Sequence, residues 1–523
     1  MLARRRTSEL SAPRLQRSVR IEFRSKRSAV SLGRVSTKRA RLAAFAALAS
    51  RPMDNPTPRE PSNPVQPPPE AWQPMVKLAR LASRPLDRFL RIEAASGILL
   101  LLAAAVALLW ANSPWAHGYE ALWQTPIGVH VGPFEFSSTL EWFVNDVLMA
   151  IFFLVVGMEI RGELHDGELS EWRRAALPMV CALGGMVVPA LLYLAVARAP
   201  AAKSGWGIPM ATDIAFAVGV LTLLGRRVPS GLRVLLLALA VIDDLGAILV
   251  IAFFYSSGIT GSGLLLAALG VSGILVLRAM GVRAILAYFP VGALVWLGVY
   301  SAGVHPTIAG VIVGLLTPVR AWLGPQGFID AARYQAQRVS DQLANGAHST
   351  SLGRPLHKVT FASREAVSPA EFLIRALHPW VAFVIMPLFA LANAGVNLHG
   401  LSLQGTGVGV SVAVCVGLVA GKPLGVIGAG LVALGTRLSS LPQGLHIRHL
   451  IVLGVVAGIG FTMSLFIAQL AFADPSLLGA AKLGVLGASM LAMFFGLGLG
   501  FLLLSRPCEA APALESSLAD LAD

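Results

Sequence analysis

From about residue 93 to residue 504 the chain alternates long apolar runs with short connections rich in Arg and Lys. A helix needs roughly 20 residues to cross a hydrocarbon core of about 30 Å, and in lipid a helix satisfies its own backbone groups. The pattern therefore predicts an all-α polytopic membrane protein. Twelve crossings can be placed, at 93–111, 141–160, 176–196, 206–224, 233–255, 262–278, 283–300, 303–318, 378–396, 406–434, 449–471 and 482–504. The eighth is short for a full span, and the tenth is long enough to include an interfacial end. Between the first two, TPIGVHV and FEFSS flank Gly132 and Pro133 and predict a small hairpin on the outer face.

Composition agrees with the pattern. The chain has 523 residues, 55% apolar and 13% charged, with a mean hydropathy of +0.69. A soluble enzyme would have to bury every apolar run in one core, beyond the usual size of a domain. Loop charges set the orientation. Lys77, Arg91, Arg161, Arg174, Arg226, Arg278, Arg320, Arg375, Arg437 and Arg506 all fall on one side if the count is twelve, while the opposite loops carry chiefly Arg198, Lys203 and Lys482. Positive-inside places both termini in the cytoplasm of a cell whose inner membrane holds the protein.

Residues 1–50 carry thirteen Arg or Lys against Glu9 and Glu22, a net +11 of the chain's +14. Residues 1–74 thus read as a basic, then Pro-rich, disordered extension before a twelve-span membrane domain at 75–505. Contact with anionic lipid is the economical role for this tail. A transit peptide, or an extension upstream of a start near Met75, fits the same composition. No folded nucleic-acid-binding motif accompanies the basic residues, so no specific nucleic-acid partner is expected. The 319–377 connection is too polar to cross a membrane. It reads as a cytoplasmic loop in which IDAARYQAQRVSDQL forms a surface helix, and 506–523 reads as a disordered tail. Cys181, Cys415 and Cys508 have no metal or redox spacing.

The chemistry lies in charges within apolar spans. Asp243 and Asp244 sit in the middle of the fifth, in VIDDLGAI. A carboxylate there costs about 2.5–3.5 kcal/mol on insertion scales, so it faces a cavity or a partner. Adjacent residues on a helix point about 100° apart, so the two acids can serve different neighbours. In the fourth span Gly207 and Pro209 predict a break just before Thr212 and Asp213, exposing carbonyls that can coordinate a cation. In the eleventh, Gly454, Gly458 and Gly460 lead into Thr462 and Ser464 and predict a second interruption. Lys422, inside the tenth span, needs an acid partner, with Asp243 or Asp244 as candidates. Asp146 and Glu159 lie near opposite ends of the second span, with Glu163 just beyond, and His305 stands at a span end in GVHP.

Carboxylates and hydroxyls suit a hard cation such as sodium, and the same carboxylates bind protons. If the two ions compete and only a loaded site reorients, exchange follows with no covalent step and no cofactor. In this scheme Asp244 and Asp213 form the cation site, and Asp243 exchanges a salt bridge with Lys422 for a proton. No nucleophile–base arrangement points to an enzyme. Another ion-coupled secondary transporter and a cation channel are the rival readings.

The run of motifs FFLVVGMEIRGEL, ATDIAFAVGVL, LALAVIDDLGAI, SAGVHPTIAGVIVGLL, LHPWVAFVIMPLFALANAGV, GKPLG and GIGFTMSLFIAQLAF, from about residue 85 to 504, closely resembles the bacterial NhaA sodium/proton antiporters. The resemblance implies a twelve-span fold with inverted-topology repeats and two crossed discontinuous helices at spans four and eleven. It implies electrogenic exchange of more protons than sodium, lithium as an alternative substrate, activation at alkaline pH, and a homodimer aided by the outer hairpin. It also assigns roles. Asp244 takes the place of the principal ion and proton carrier, Asp243 that of the acid paired with Lys422, and Thr212 with Asp213 that of the broken-helix site. Asp146, Glu159 and Glu163 take supporting positions, the two glutamates in the cytoplasmic funnel; His305, read from its place at a span end, is a further candidate for the pH response. The chain departs from the family pattern at Ile374 and Arg375, just before LHPW, where acidic and histidine positions are expected.

Overall fold

The computed structural model describes residues 93–131, 134–165, 167–256, 258–344, 353–397 and 406–504. The expected extension at 1–74 and the tail at 506–523 lie outside the described residues. The chain opens with α1 (Glu93–Ala111) and a short α2 (Ala116–Trp123), followed by strands β1 (Pro126–Val131) and β2 (Phe134–Thr139). The strands pair antiparallel with Pro126 opposite Thr139 and Val131 opposite Phe134, which is the expected hairpin. Phe136 packs on Trp142 at 5.1 Å, and Trp142 meets Trp296 and Tyr300 edge-on, so an aromatic cluster fixes the foot of the hairpin.

The helices that follow are α3 (Leu140–His165), α4 (Trp172–Val196), a 3₁₀ segment at Pro200–Met210 with α5 (Ile214–Leu223), and α6 (Ser230–Phe254). Next come α7 (Gly261–Ala279), α8 (Ile285–Ser301), α9 (Thr307–Leu316), α10 (Gly324–Ala344) and α11 (Gly353–Glu365). The last group is α12 (Pro369–Asn393), α13 (Thr406–Gly435), α14 (Ile447–Ala457), α15 (Phe461–Ala471) and α16 (Pro475–Leu503). Among the described residues seven helices are long and apolar enough to cross a membrane, or up to ten if each bent pair is one span. The bent pairs are α1 with α2 (117°), Pro200–Met210 with α5 (51°) and α14 with α15 (44°). The protein is therefore an all-α, multi-pass membrane protein, with its one small hairpin as the exception.

Two helix starts differ from expectation, each for a local reason. Helix α12 begins at Pro369, not 378, because the Ser368 hydroxyl accepts from the Glu371 N–H and Pro369 occupies the first turn. Helix α16 begins at Pro475 because Asp474 caps it, its carboxylate accepting from the Ser476 N–H at 2.9 Å. Lys482 consequently lies inside α16, 8% exposed, and not on a loop. The polar 319–377 connection contains two helices, α10 and α11, and α10 covers the expected surface segment. Arg283 ties this pair down through Glu365 at 2.5 Å.

Close backbone approach positions the site. A Cβ on Gly184 would stand 2.4 Å from the Gly425 carbonyl oxygen, and one on Gly425 2.1 Å from that of Gly184. These glycines let α4 and α13 touch along their backbones, which fixes the height of Lys422, one turn earlier on α13. The π-helical turn at Gly417–Gly421 directly precedes that lysine. A second π-turn, Phe143–Leu148 within α3, carries Asn145 and Asp146. Such turns insert an extra residue and redirect neighbouring side chains.

Candidate functional site

Both expected breaks are present and hydrogen-bond to each other. Pro209 has no N–H, and the chain leaves the 3₁₀ segment at Met210 to run extended through Ala211 before α5 begins at Ile214. The second break spans Gly458–Gly460 between α14 and α15. The Asp213 N–H donates to the Ile459 carbonyl at 2.7 Å, and the Ser464 hydroxyl donates to the Ile208 carbonyl at 2.8 Å.

Four half-helix ends meet here, and charged or hydroxyl groups cover them by sign. Asp213 caps α5, accepting from the Phe216 N–H at 3.0 Å. It also accepts from the Thr462 N–H at 3.1 Å and the Thr462 hydroxyl at 2.5 Å, in the first turn of α15. One carboxylate thus faces the positive N-terminal ends of two helices. At the opposite ends, the Lys422 ammonium donates to the Met210 carbonyl. The Thr212 hydroxyl stands 3.0 Å from the Ala457 carbonyl oxygen.

The two neighbouring acids of α6 have unlike surroundings, although both are wholly buried. Asp243 Oδ2 lies 2.7 Å from Lys422 Nζ and 2.7 Å from the Thr212 hydroxyl. Among the described residues neither oxygen of Asp244 has a hydrogen-bond partner. An ionised carboxylate left bare in such a place is penalised by several kcal/mol, which makes Asp244 the candidate position for a bound proton or cation. Among the described residues no three His, Cys, Asp or Glu side chains converge. The donors at hand for a cation are two carboxylates, hydroxyls and backbone carbonyls, a set suited to a weakly held alkali ion.

The structure joins Asp243, Lys422 and Thr212 in one bonded group, with Asp213 next to Thr212 and bridging to the second break. Asp146 and His305 meet each other elsewhere, Oδ1 to Nε2 at 3.7 Å, and the other ring nitrogen of His305 contacts the Thr307 hydroxyl at 3.0 Å. Glu159 and Glu163 are half-buried and four residues apart in the last turns of α3. Thirteen residues of helix place Glu159 about 20 Å along the axis from Asp146. Asn393 and Gln469, each an amide in an apolar run, are not singled out by the pattern of buried charge. They hydrogen-bond to each other, and Asn393 also bonds to Asn145.

Broken helices packed end to end around buried acids, in a multi-pass helical protein, define a membrane transporter. The family comparison specifies which kind: the model for the Na+/H+ antiporter 1 family matches residues 87–499, and the chain belongs to that family. It is 62% identical to the Na(+)/H(+) antiporter NhaA 2 of Myxococcus xanthus, over 85% of this chain and 95% of that protein. The protein of the same name from Sorangium cellulosum is 52% identical over 85% of this chain and 95% of its own length. The Na(+)/H(+) antiporter NhaA 2 of Pseudomonas putida KT2440 is 51% identical over 81% and 94%. This is a family of transporters, not of enzymes.

Proposed function

We propose that the chain is an electrogenic, pH-regulated sodium/proton antiporter that also accepts lithium, extruding the cation against inward protons by alternating access. The observation that carries this reading is the contrast within one pair: Asp243 is committed to Lys422 and Thr212, while the equally buried Asp244 has no protein partner. Asp244 is then the site at which proton and cation exclude one another. A cation entering beside Asp244 displaces its proton, and Asp213, Thr212 and the carbonyls of the two breaks complete the oxygen shell. For Asp213 to offer Oδ2, the Thr462 hydroxyl must turn away, so loading the site loosens the contact between the two breaks. Asp243 takes up a second proton when it gives up its bridge to Lys422. More protons than sodium ions then cross per cycle, and net charge moves.

Counting α1, the two broken pairs of α5 and α15, and the short α8 and α9 with the seven long helices gives twelve crossings. An even count puts both termini on the Arg-rich side, the cytoplasm of a bacterial inner-membrane protein. The same reading includes inverted repeats crossing at the two breaks. It assigns 75–505 to the antiporter domain, makes Glu159 and Glu163 the cytoplasmic mouth, and has Asp146 and His305 assist the pH response. It also includes a homodimer joined near the β1–β2 hairpin and anionic lipid against the basic tail.

The test is transport in proteoliposomes with an imposed proton gradient. Added Na⁺ or Li⁺ should collapse the gradient in the wild-type protein and leave it intact in Asp244→Asn. A channel would pass cations without moving protons and would tolerate Asp244→Asn. Absence of cation-dependent proton movement from mildly acidic to alkaline pH would sink the antiport reading.

A further inference from the structure

Asn145, Asn393 and Gln469 come from α3, α12 and α15 and form one chain of hydrogen bonds. Asn393 Nδ2 donates to Asn145 Oδ1 at 2.8 Å and to the Phe389 carbonyl at 2.9 Å. Gln469 Nε2 donates to Asn393 Oδ1. The Phe389 carbonyl can only accept, which fixes the orientation of the Asn393 amide. Asn393 is wholly buried.

Its position in the fold gives this chain meaning. Asn145 lies in the first turns of α3, directly after the hairpin. Asn393 ends α12, and Gln469 is two residues from the end of α15. All three sit at the hairpin end, opposite Glu159 and Glu163. Thr462, Phe466 and Gln469, spaced i, i+4, i+7, share one face of α15. Each position on that stripe is engaged. Thr462 holds Asp213 at the ion site. Phe466 meets His305, Phe153 and Phe389 at 5.2, 5.7 and 6.1 Å between ring centroids. Gln469 holds Asn393. From Thr462 to Gln469 the stripe rises about 10 Å, leading from the ion site past an aromatic plug to an amide contact.

We propose that the Asn145–Asn393–Gln469 chain is a latch closing the hairpin-side path to the ion site. Asn393 and Gln469 are then positioning residues that set the balance between the two access states. The proposal rests on the alternating-access reading above. The latch favours only the state closed on the hairpin side, because once α15 moves from α12 the amides exchange one another for water. One such bond shifts the balance about fivefold.

The test compares wild type with Gln469→Leu, Asn393→Leu and the swap Asn393→Gln/Gln469→Asn, which restores the combined side-chain length. Apparent sodium KM is measured from each face in vesicles of both orientations. A less populated competent state weakens apparent affinity in proportion to its population. Gln469→Leu should therefore lower KM on the hairpin face and raise it on the other, changing their ratio by about fivefold. The swap should return the ratio toward wild type. An unchanged ratio in Gln469→Leu, or equal loss on both faces, would overturn the latch and leave a plain structural staple. If wild type moves no protons with sodium, the antiport reading fails, and hydrogen exchange over residues 465–471 decides the latch separately. Faster exchange in both leucine variants supports it, and unchanged protection overturns it.

Discussion

Replacing Lys422 with Met keeps a side chain of similar length and removes the charge together with its N–H donors. In the structure Lys422 and Asp243 are both 0% exposed, with Nζ 2.7 Å from Oδ2. Lys422→Met leaves Asp243 with a single protein partner, the Thr212 hydroxyl, and leaves the Met210 carbonyl without its donor. Removing one member of a buried ion pair costs about 3–5 kcal/mol. Uptake of a proton by Asp243 limits the loss, so the lower end applies, ~3 kcal/mol. At about 2 °C per kcal/mol for a large domain, the apparent melting temperature falls by about 6 °C. The double variant Asp243→Asn/Lys422→Met carries no orphaned charge and should recover at least half of that fall, since buried pairs are often replaceable by neutral groups of similar size. The assay is scanning fluorimetry in detergent at one scan rate, because unfolding of such proteins is kinetically controlled. Two results would refute the reasoning: single variants indistinguishable from wild type, or a double variant whose loss is the sum of the two singles.

Asp244→Asn should abolish cation-driven proton movement yet leave the apparent melting temperature nearly unchanged, because no protein hydrogen bond is lost with its oxygens; a large drop in melting temperature would contradict that. Asp213→Ala removes the acceptor of the Phe216 N–H and of both Thr462 donors, a loss of about 3 kcal/mol for a cap plus charged hydrogen bonds. Asp213→Asn should lose about half as much, and equal melting of the two variants would count against the capping role. If proton and sodium compete for Asp244 as proposed, apparent sodium KM should fall as pH rises, by about tenfold per unit while the site is mostly protonated, then level off; a KM that rises with pH in a sided flux assay would exclude competition.

Much of the fold was legible because long apolar runs leave little choice in a bilayer: each of the twelve expected segments overlaps a described helix, and seven helices, or ten with the bent pairs, are long and apolar enough to cross. The broken helices were legible from Pro209 and from Gly458 and Gly460, residues that remove an N–H or stiffness where a helix would otherwise run on. Helix starts were less so. Ser368 and Asp474 act through single side-chain caps that lie outside the apolar windows, so α12 and α16 began seven to nine residues early and Lys482 moved from a loop into the interior. The partner of Lys422 was open on spacing alone, since Asp243 and Asp244 differ by a single residue in their distance along the chain. The choice depends on which face of α6 meets α13, and that is a tertiary fact. Asn393 and Gln469 were missed for a related reason. A lone amide in an apolar run signals only that a partner exists, and the partner here is 76 residues away.

The hydrogen bonds suggest how ion occupancy reaches the backbone. Asp244 has none among the described residues, so under the antiport reading its occupancy reaches Asp243 through charge. Asp243 is the nearest carrier of that signal in the chain, and it holds both Lys422 and Thr212. Lys422 in turn caps the end of the 3₁₀ segment at Met210, and Thr212 reaches the end of α14 at Ala457. A change of charge at Asp244 alters the field at Asp243. Any weakening of Asp243's hold on Lys422 or Thr212 is then felt at the C-terminal ends of both half-helices at once. Asp213 stands on the opposite, N-terminal ends and is bonded to both of them. Chemistry and movement are therefore separated by two or three bonds, without a long relay. An acid already paired would have its charge cancelled on the spot, and two unpaired acids would have no grip on the breaks. In the proposed antiport, one free and one committed carboxylate on adjacent residues would supply both functions.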